Sequence, residues 1–276
     1  MRIARFSHSE QVSYGLVLGA DDPAGPANGH EPANQSHLVV AQLAGHPFGG
    51  SADDIALTGR RFALAEVRLL APLLPSKVVC VGQNYADHIE EMGSERPPAP
   101  VIFLKPSTAV CGPGDPIRRP TRVSERVDYE GELAVIIGRL CSEVPADRAA
   151  EVIFGYTCAN DVTARDLQAR DGQWTRAKGF DTFCPLGPWI ETAVDPANLS
   201  LTTSLNNEVR QRSNTSLLLH DVPALVAFVS QVMTLIPGDV LLTGTPAGVG
   251  PMDKGDEVAV TIEGIGTLTN PVMDRD

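Results

Sequence analysis

Two glutamates and one aspartate are the residues of this chain whose types and spacing most directly indicate chemistry. Glu130 and Glu132 lie two apart in the segment VDYEGELAVIIG, and Asp161 follows the apolar run VIFGYTCAN. Alternate residues of a strand point to the same face, so the spacing places both glutamates on one side of a predicted strand. Like charges this close repel and raise each other's pKa unless a cation neutralises them.

Three carboxylates with no Cys or His nearby in the sequence form a hard oxygen site. Such a site suits Mg²⁺ first, with Mn²⁺ or Ca²⁺ as alternatives, and suits zinc or copper poorly. If this strand is considered by itself, two other interpretations of Glu130 and Glu132 stay open. The pair can be solvated residues on the polar face of an edge strand, or it can be the acid and base of a glycosidase.

A histidine and a glutamate three residues apart form a second candidate group. His88 and Glu91 lie in NYADHIEEM, which is predicted to be helical, so they share a helix face and can hydrogen-bond. A carboxylate in this position orients the imidazole as a general base. An ordinary surface pair is the alternative. The next segment, GSERPPAP, is predicted to hinge this helix as a lid over the substrate.

Further candidates lie beyond the acids. Lys178, in RAKGFD, is a cation that can hold substrate or stabilise an enolate oxygen, and an exposed lysine is its alternative. Arg165 and Gln168 follow Asp161 by four and seven residues, on one side of any helix that starts there. The glycine-rich segment LLTGTPAGVG, which contains Thr245, can present backbone N–H groups to a carboxylate.

The role of Arg165 has a second interpretation. Its guanidinium can equally be a structural partner of Asp166 or Glu191 rather than a substrate contact.

Composition limits the possible partners. The 276-residue chain has a net charge of -12, which disfavours binding to nucleic acid or to an anionic membrane surface. An anionic substrate therefore needs a local positive centre, which a bound cation supplies. The five cysteines have no close pair and indicate neither a disulfide framework nor a thiolate zinc site. The N-terminus lacks an apolar leader, and the protein is predicted to be cytoplasmic.

Many short apolar runs and few helical segments predict an α+β, β-rich fold. A small β-rich N-terminal module is predicted over residues 1–72 and a catalytic domain over residues 73–276. The segment at 21–37 has the composition of a loop. Besides the helix at 85–92, a helix is predicted around 222–235, where apolar residues recur at the spacing of a buried face, namely at Val222, Leu225, Val226 and Val229.

Four motifs in this order, DYEGELAVIIG, NDVTARDLQ, AKGFDTFCPLGPW and TGTPAGVG, resemble the fumarylacetoacetate hydrolase family, and VGQNYADHIEEM precedes them. The resemblance covers about residues 73 to 272. It implies a fumarylacetoacetase-like catalytic fold, described as a mixed β-sandwich roll, and a homodimer. It also removes the glycosidase interpretation.

The resemblance implies roles for individual residues. It makes Glu130, Glu132 and Asp161 the metal ligands. It makes His88 and Glu91 catalytic, as in members similar to acylpyruvases, and it makes Gln168 and Thr245 substrate contacts. The family usually has A-K-S-F-D where this chain has AKGFD, so Gly179 departs from the pattern while Lys178 is retained.

A cation that chelates the 1-carboxylate and 2-oxo oxygens of a small anionic 2-oxo acid would stabilise an enolate. The leading expectation is metal-dependent hydrolysis of a 2,4-dioxo acid of the acylpyruvate or fumarylacetoacetate type. In that reaction His88 and Glu91 activate water for attack at C4, and the C3–C4 bond breaks. Isomerisation of 2-hydroxyhepta-2,4-diene-1,7-dioate and decarboxylation of oxaloacetate use the same enolate and stay open. An inactive metal-binding dimer is the alternative of another class.

Overall fold

The structure is a computed structural model that describes residues 1–19, 37–48 and 55–275. Of the loop predicted over residues 21–37, residues 21–36 lie outside the described residues. Five strands lie in the described part of the first 72 residues: β1 (Arg2–His8), β2 (Gln11–Gly19), β3 (Leu38–Leu43), β4 (Leu57–Ala63) and β5 (Arg68–Leu70).

Strands also dominate the rest of the chain. They are β6 (Val78–Gly82), β7 (Val101–Lys105), β8 (Val110–Cys111), β9 (Ile117–Arg119), β10 (Val127–Tyr129), β11 (Gly131–Ile137), β12 (Ile153–Asn160), β13 (Thr163–Ala164), β14 (Cys184–Glu191), β15 (Ser200–Leu205), β16 (Glu208–Asn214), β17 (Val240–Leu242), β18 (Gly250–Pro251), β19 (Glu257–Ile262) and β20 (Gly266–Asp274). The β-rich prediction is confirmed.

The α-helices of the described residues are few and short. They are α1 (Ala86–Glu91), α2 (Arg165–Asp171), α3 (Thr175–Lys178) and α4 (Val222–Val232). None of the helices in the described ranges combines the length and apolar content that crossing a bilayer requires.

One large sheet crosses the predicted module boundary. Its strands follow the order β4-β3-β2-β1-β14-β12-β11-β17-β6-β7, with β5 and β8 attached at β1 and β14. Strand β1 pairs antiparallel with β14, with Arg2 opposite Glu191. The N-terminal strands therefore extend the sheet that carries β11, and the division at residue 72 stays a prediction. Two smaller sheets have the orders β13-β10-β18 and β16-β15-β19-β20-β9.

Strand β11 lies in the interior of the large sheet. It pairs antiparallel with β12 on one side and with β17 on the other, and every one of its residues is buried. The interpretation of Glu132 as a solvated residue on an edge strand is therefore wrong. Burial on both faces explains why this strand is an almost continuous apolar run apart from its acid.

Helix α4 covers one face of β11. The four residues predicted for its buried face are buried, and they share a core cluster with Leu133 and Val135. The carboxylate of Asp221 caps the helix by accepting a hydrogen bond from the Ala224 N–H at 2.9 Å. Ala134 and Ile136 point into a different cluster. The helix thus supports the strand from the face opposite Glu132.

Two substitutions in α4 test this packing. Val226 is 0% exposed and Val232 is 56% exposed, so Val226→Ala should lower the free energy of unfolding by about 2 kcal/mol. Val232→Ala should change it little, because alanine also has the higher helix propensity. Urea denaturation of both variants measures the difference, and equal effects would contradict the assigned packing.

Candidate functional site

The backbone turns at Glu130, between two sheets. The segment predicted as one strand is two, because β10 ends before Glu130 in a three-stranded sheet and β11 begins after it in the large sheet. The Glu130 N–H donates to the Asn160 Oδ1 atom at 2.9 Å, and the Gly131 N–H donates to the Gln211 Oε1 atom at 2.9 Å. Side-chain acceptors thus replace strand pairing at this point and let the chain change sheets.

The three predicted acids meet at this turn. Glu130, Glu132 and Asp161 are 4%, 1% and 1% exposed. One carboxylate oxygen of each lies within 4.8 Å of the others. The Asp161 N–H donates to the Glu130 carbonyl oxygen at 2.8 Å, which ties the end of β12 to the start of β11. The structure therefore builds the predicted carboxylate group from the ends of two neighbouring strands.

Buried cations contact two of these acids. The Lys178 Nζ atom donates to Glu130 Oε2 at 2.8 Å and to Asp161 Oδ2 at 2.7 Å. Arg165 donates to Glu130 Oε1 at 2.5 Å, and Lys105, which sequence reasoning missed, donates to Asp161 Oδ1. Burial raises the pKa of Glu130, but Lys178 and Arg165 outweigh burial and leave that pKa below its usual value. Glu130 is therefore ionised.

Glu132 has a different environment. Its Oε2 atom accepts a hydrogen bond from the Gly244 N–H at 2.7 Å, and no ion pair to it occurs within the described residues. Burial, followed by the charges of Asp161 and Glu130, raises the pKa of Glu132 well above its usual value. Its negative charge is thus poorly compensated by the protein. A divalent cation held by the three carboxylates would compensate it, and an all-oxygen donor set fits Mg²⁺ or Mn²⁺.

The partners of Arg165 differ from those expected. Neither Asp166 nor Glu191 pairs with it, so that structural interpretation is wrong. Arg165 instead donates to Asp128 Oδ2 at 3.0 Å and to Gln168 Oε1 at 2.7 Å, besides its bond to Glu130. The reason is its position as the first residue of α2, directly after β13, where its side chain reaches back toward β10.

Two hydrogen bonds to Glu91, one from His88 and one from a backbone N–H, fix the orientation of the His88 ring. Its Nδ1 atom lies 3.0 Å from Glu91 Oε2, and Glu91 Oε1 accepts a hydrogen bond from the Gly248 N–H at 2.9 Å. A carboxylate can only accept, so Nδ1 carries the hydrogen and Nε2 is the atom for proton exchange. His88 is 7% exposed, which disfavours the surface-pair interpretation. The hinge predicted after this helix stays a prediction.

The glycine-rich turn holds protein carboxylates. The N–H groups of Gly244 and Gly248 bind the carboxylates of Glu132 and Glu91 as described above. The Thr245 hydroxyl donates to the Gly131 carbonyl oxygen at 3.0 Å and accepts from Gln211 Nε2 at 2.8 Å. Contact between Thr245 and a substrate carboxylate stays a prediction.

A cavity of about 280 Å³ joins these groups, a size that suits a small ligand. Part of its wall is apolar and includes Val81, Met92 and Trp174. A β-carbon at Gly82 would lie 2.6 Å from the Trp174 ring, so the glycine permits this close packing. Of the predicted site residues, all but Glu91 line the cavity: His88, Glu130, Glu132, Asp161, Arg165, Gln168, Lys178 and Thr245.

Gly179, the departure from the family motif, has a structural reason. A β-carbon at Gly179 would lie 2.6 Å from the Thr175 carbonyl oxygen, at the end of the helix that carries Lys178. A serine at this position would therefore require α3 to end differently. In this chain, the glycine lets α3 close tightly behind Lys178.

Comparison with known proteins covers nearly the whole chain. The family model described as fumarylacetoacetate (FAA) hydrolase C-terminal matches residues 77–273. A second model, described as Rv2993c-like, N-terminal, matches residues 1–72.

Similar proteins carry several names. The structure of 2-hydroxyhepta-2,4-diene-1,7-dioate isomerase from Mycobacterium marinum is 52% identical, with a TM-score of 0.88 over 100% of this chain and 99% of that one. Oxaloacetate tautomerase Fahd2a, mitochondrial, from Rattus norvegicus is 40% identical over 99% of this chain and 92% of its own. Maleylpyruvate hydrolase from Sphingobium sp. SYK-6, solved with manganese(II) and pyruvate, is 32% identical with a TM-score of 0.77 over all of both chains.

Glu132→Gln tests the uncompensated charge. In EDTA at neutral pH the variant should have a higher free energy of unfolding than the wild type, by about 1 to 3 kcal/mol. The raised pKa of Glu132 means that the wild type must either bury an uncompensated charge or take up a proton on folding, and glutamine does neither. The variant should also bind Mn²⁺ much more weakly. Urea denaturation with and without Mn²⁺ measures both effects, and a loss of stability in EDTA would contradict the charge assignment.

Gly179→Ser tests the close approach behind Lys178. The variant should lose about 1 to 3 kcal/mol of stability, because the new side chain forces α3 to shift. Gly45→Ser is the control, since a β-carbon there meets no atom within 4 Å, and its stability should match the wild type. Urea denaturation measures both, and a Gly179→Ser variant of wild-type stability would refute the contact.

Proposed function

Since the chain belongs to the fumarylacetoacetate hydrolase family, we propose that it is a divalent-metal-dependent enzyme that isomerises a small 2-oxo acid by moving a proton between the 2-oxygen and a carbon atom of that acid. The observation that carries this proposal is the buried His88, which Glu91 orients at a cavity that also contains Lys178 and the three acids. The family resemblance and the β-rich fold expected from the motifs are both confirmed.

Mg²⁺ is the proposed metal, with Mn²⁺ as an alternative, and Glu130, Glu132 and Asp161 would hold it. When bound, it supplies a positive charge that attracts the carboxylate and 2-oxo oxygens of the substrate and stabilises an enolate. Support for a divalent cation comes from the poorly compensated charge of Glu132 and from the manganese in the maleylpyruvate hydrolase structure.

His88 is the proposed proton carrier. With Nδ1–H held by Glu91, its Nε2 atom takes a proton from one carbon and returns it to another, or exchanges it with the 2-oxygen. The Glu91 carboxylate stabilises the imidazolium that forms in between. Its bond from the Gly248 N–H keeps the carboxylate in place through both proton transfers.

Lys178 is the proposed donor to the developing oxyanion. Burial lowers the pKa of Lys178, but Asp161 and Glu130 outweigh burial and leave that pKa above its usual value. The ammonium group therefore stays protonated, so it can stabilise negative charge on the substrate but cannot act as the base. Of these two residues, His88 is therefore the proposed base.

The order of candidate reactions follows the similar proteins. The isomerase and the tautomerase are 52% and 40% identical to this chain, while the hydrolase is 32% identical. Hydrolysis of a 2,4-dioxo acid, the leading expectation from the sequence, becomes the second candidate, in which His88 takes a proton from water instead. Oxaloacetate decarboxylation, which needs neither a water nor a second proton site, stays a third use of the same residues. The homodimer and the cytoplasmic location stay predictions.

A turnover panel tests the proposal. The Mg²⁺-loaded protein is assayed on enol-oxaloacetate, on 2-hydroxyhepta-2,4-diene-1,7-dioate and on an acylpyruvate by ultraviolet absorbance, with pyruvate release as a second readout. Isomerisation of one of the first two should be fastest, and EDTA should abolish it. His88→Gln should lower kcat by about 100- to 10,000-fold. Glu91→Gln should cause a smaller loss, because it removes only the charge that stabilises the imidazolium.

Glu90→Gln is the matched control for Glu91→Gln. It makes the same change one residue earlier in α1, where the side chain is exposed, and should leave kcat near the wild-type value. Faster cleavage of the acylpyruvate would favour the hydrolase, and pyruvate release from oxaloacetate would favour the decarboxylase. No turnover of any substrate would favour the inactive metal-binding dimer. Full activity in EDTA would refute the metal dependence.

A further inference from the structure

Two lysines hold the two oxygens of Asp161 from different elements. Lys178, the last residue of α3, donates to Oδ2 at 2.7 Å, and Lys105, the last residue of β7, donates to Oδ1. Both are almost completely buried, at 2% and 1% exposure. A buried ammonium group is costly unless it is paired and hydrogen-bonded. Lys178 already neutralises Asp161, so the burial of a second lysine against the same carboxylate needs its own explanation.

The two lysines differ in what else they touch. Lys178 lines the cavity and also contacts Glu130, so it faces any ligand that enters. Lys105 is not among the residues that line the cavity. Its second bond goes to the carbonyl oxygen of Val162, the residue that directly follows Asp161, at 2.9 Å. Lys105 thus links the Asp161 carboxylate to the adjoining backbone without itself lining the cavity.

Strand β7 supports both lysines. The Phe103 ring lies 4.9 Å from the Lys178 Nζ atom, and Lys105 is two residues further along the same strand. The strand pairs antiparallel with β6, with Val78 opposite Lys105. The ammonium group of Lys105 is therefore placed by sheet pairing rather than by a mobile loop.

We propose that Lys105 is a positioning residue for the metal centre. By holding Asp161 Oδ1, it keeps Oδ2 on the side of Glu130, and its positive charge offsets the repulsion among the three carboxylates. Partners of this kind orient metal ligands, and their loss typically weakens metal binding by about 10- to 100-fold. The inference rests on the proposed metal-dependent function, because it assigns Asp161 as a ligand.

Lys77 provides a matched control. It also pairs with a buried aspartate, Asp239, whose side chain is completely buried, but neither residue lines the cavity. Lys77→Met and Lys105→Met therefore each remove an ammonium group from a buried aspartate, with the Lys77 side chain 23% exposed and the Lys105 side chain 0% exposed. Lys105→Gln is a third variant, which keeps a hydrogen-bond donor and removes the charge.

The experiment measures Mn²⁺ affinity by electron paramagnetic resonance on the full chain without substrate, alongside urea denaturation in EDTA. Lys105→Met should bind Mn²⁺ about 10- to 100-fold more weakly than wild type, and Lys105→Gln should lie between the two. Lys77→Met should lose stability but keep wild-type Mn²⁺ affinity.

Wild-type affinity in Lys105→Met would overturn the proposal, and so would an equal loss in Lys77→Met, which would indicate a general effect of destabilisation. If Lys105→Met fails to fold, the same criterion applies to Lys105→Gln. A wild-type protein that binds no Mn²⁺ would refute the proposed metal-dependent function itself. Binding by the wild type together with full binding by the variants refutes only the role of Lys105.

Discussion

Four carboxylates, Asp128, Glu130, Glu132 and Asp161, are buried where strands of two sheets meet, and burial of so many acids requires cations in direct contact. The buried side chains of Lys105 and Lys178 and the partly buried side chain of Arg165 provide them. Each cation joins segments that are far apart in the chain, so the same ion pairs that neutralise the acids also fix β7, α2 and α3 around them. Glu132 is left without such a partner, and that imbalance is the physical argument for the proposed metal ion.

The scaffold serves this charged cluster from both sides. Helix α4 and its core cluster pack on one face of β11, which leaves Glu132 on the other. Gln211, in strand β16 of the five-stranded sheet, bonds to the Gly131 N–H and to the Thr245 hydroxyl, and so holds the backbone between the two glutamates. Carboxylates that must share one ion need such fixed backbones, because an error of 1 Å in one ligand weakens the site.

The site separates its tasks among different elements. Strand ends carry the acids, the short helices α2 and α3 carry Arg165 and Lys178, and α1 carries His88 with its orienting glutamate. In the proposed function His88 exchanges protons and the charged Lys178 stabilises the oxyanion. The choice among isomerisation, hydrolysis and decarboxylation would then depend on the donor or acceptor that the substrate presents to His88. One set of residues is compatible with each of the names that similar proteins carry.

Local patterns in the sequence were enough for several features. The three-residue spacing of His88 and Glu91 and the periodicity of α4 depend only on helix geometry, and the structure contains both. The spacing of Glu130 and Glu132 identified the pair, but the two acids do not share one strand, because β10 ends before Glu130 and β11 begins after it. The order of the four motifs was enough to identify the family. These features need no knowledge of distant contacts.

Other features were decided by tertiary structure. Lys105 bonds to a residue 56 positions away and Gln211 to one 80 positions away. In the sequence, nothing distinguishes this lysine and this glutamine from those that lie on a protein surface. Arg165 was found, but not its partners Asp128 and Glu130, because these contacts depend on the pairing of β10 with β13. Pairing across the sheets determines which acids meet which cations, and burial determines what each ion pair contributes, since charges in contact with water interact only weakly.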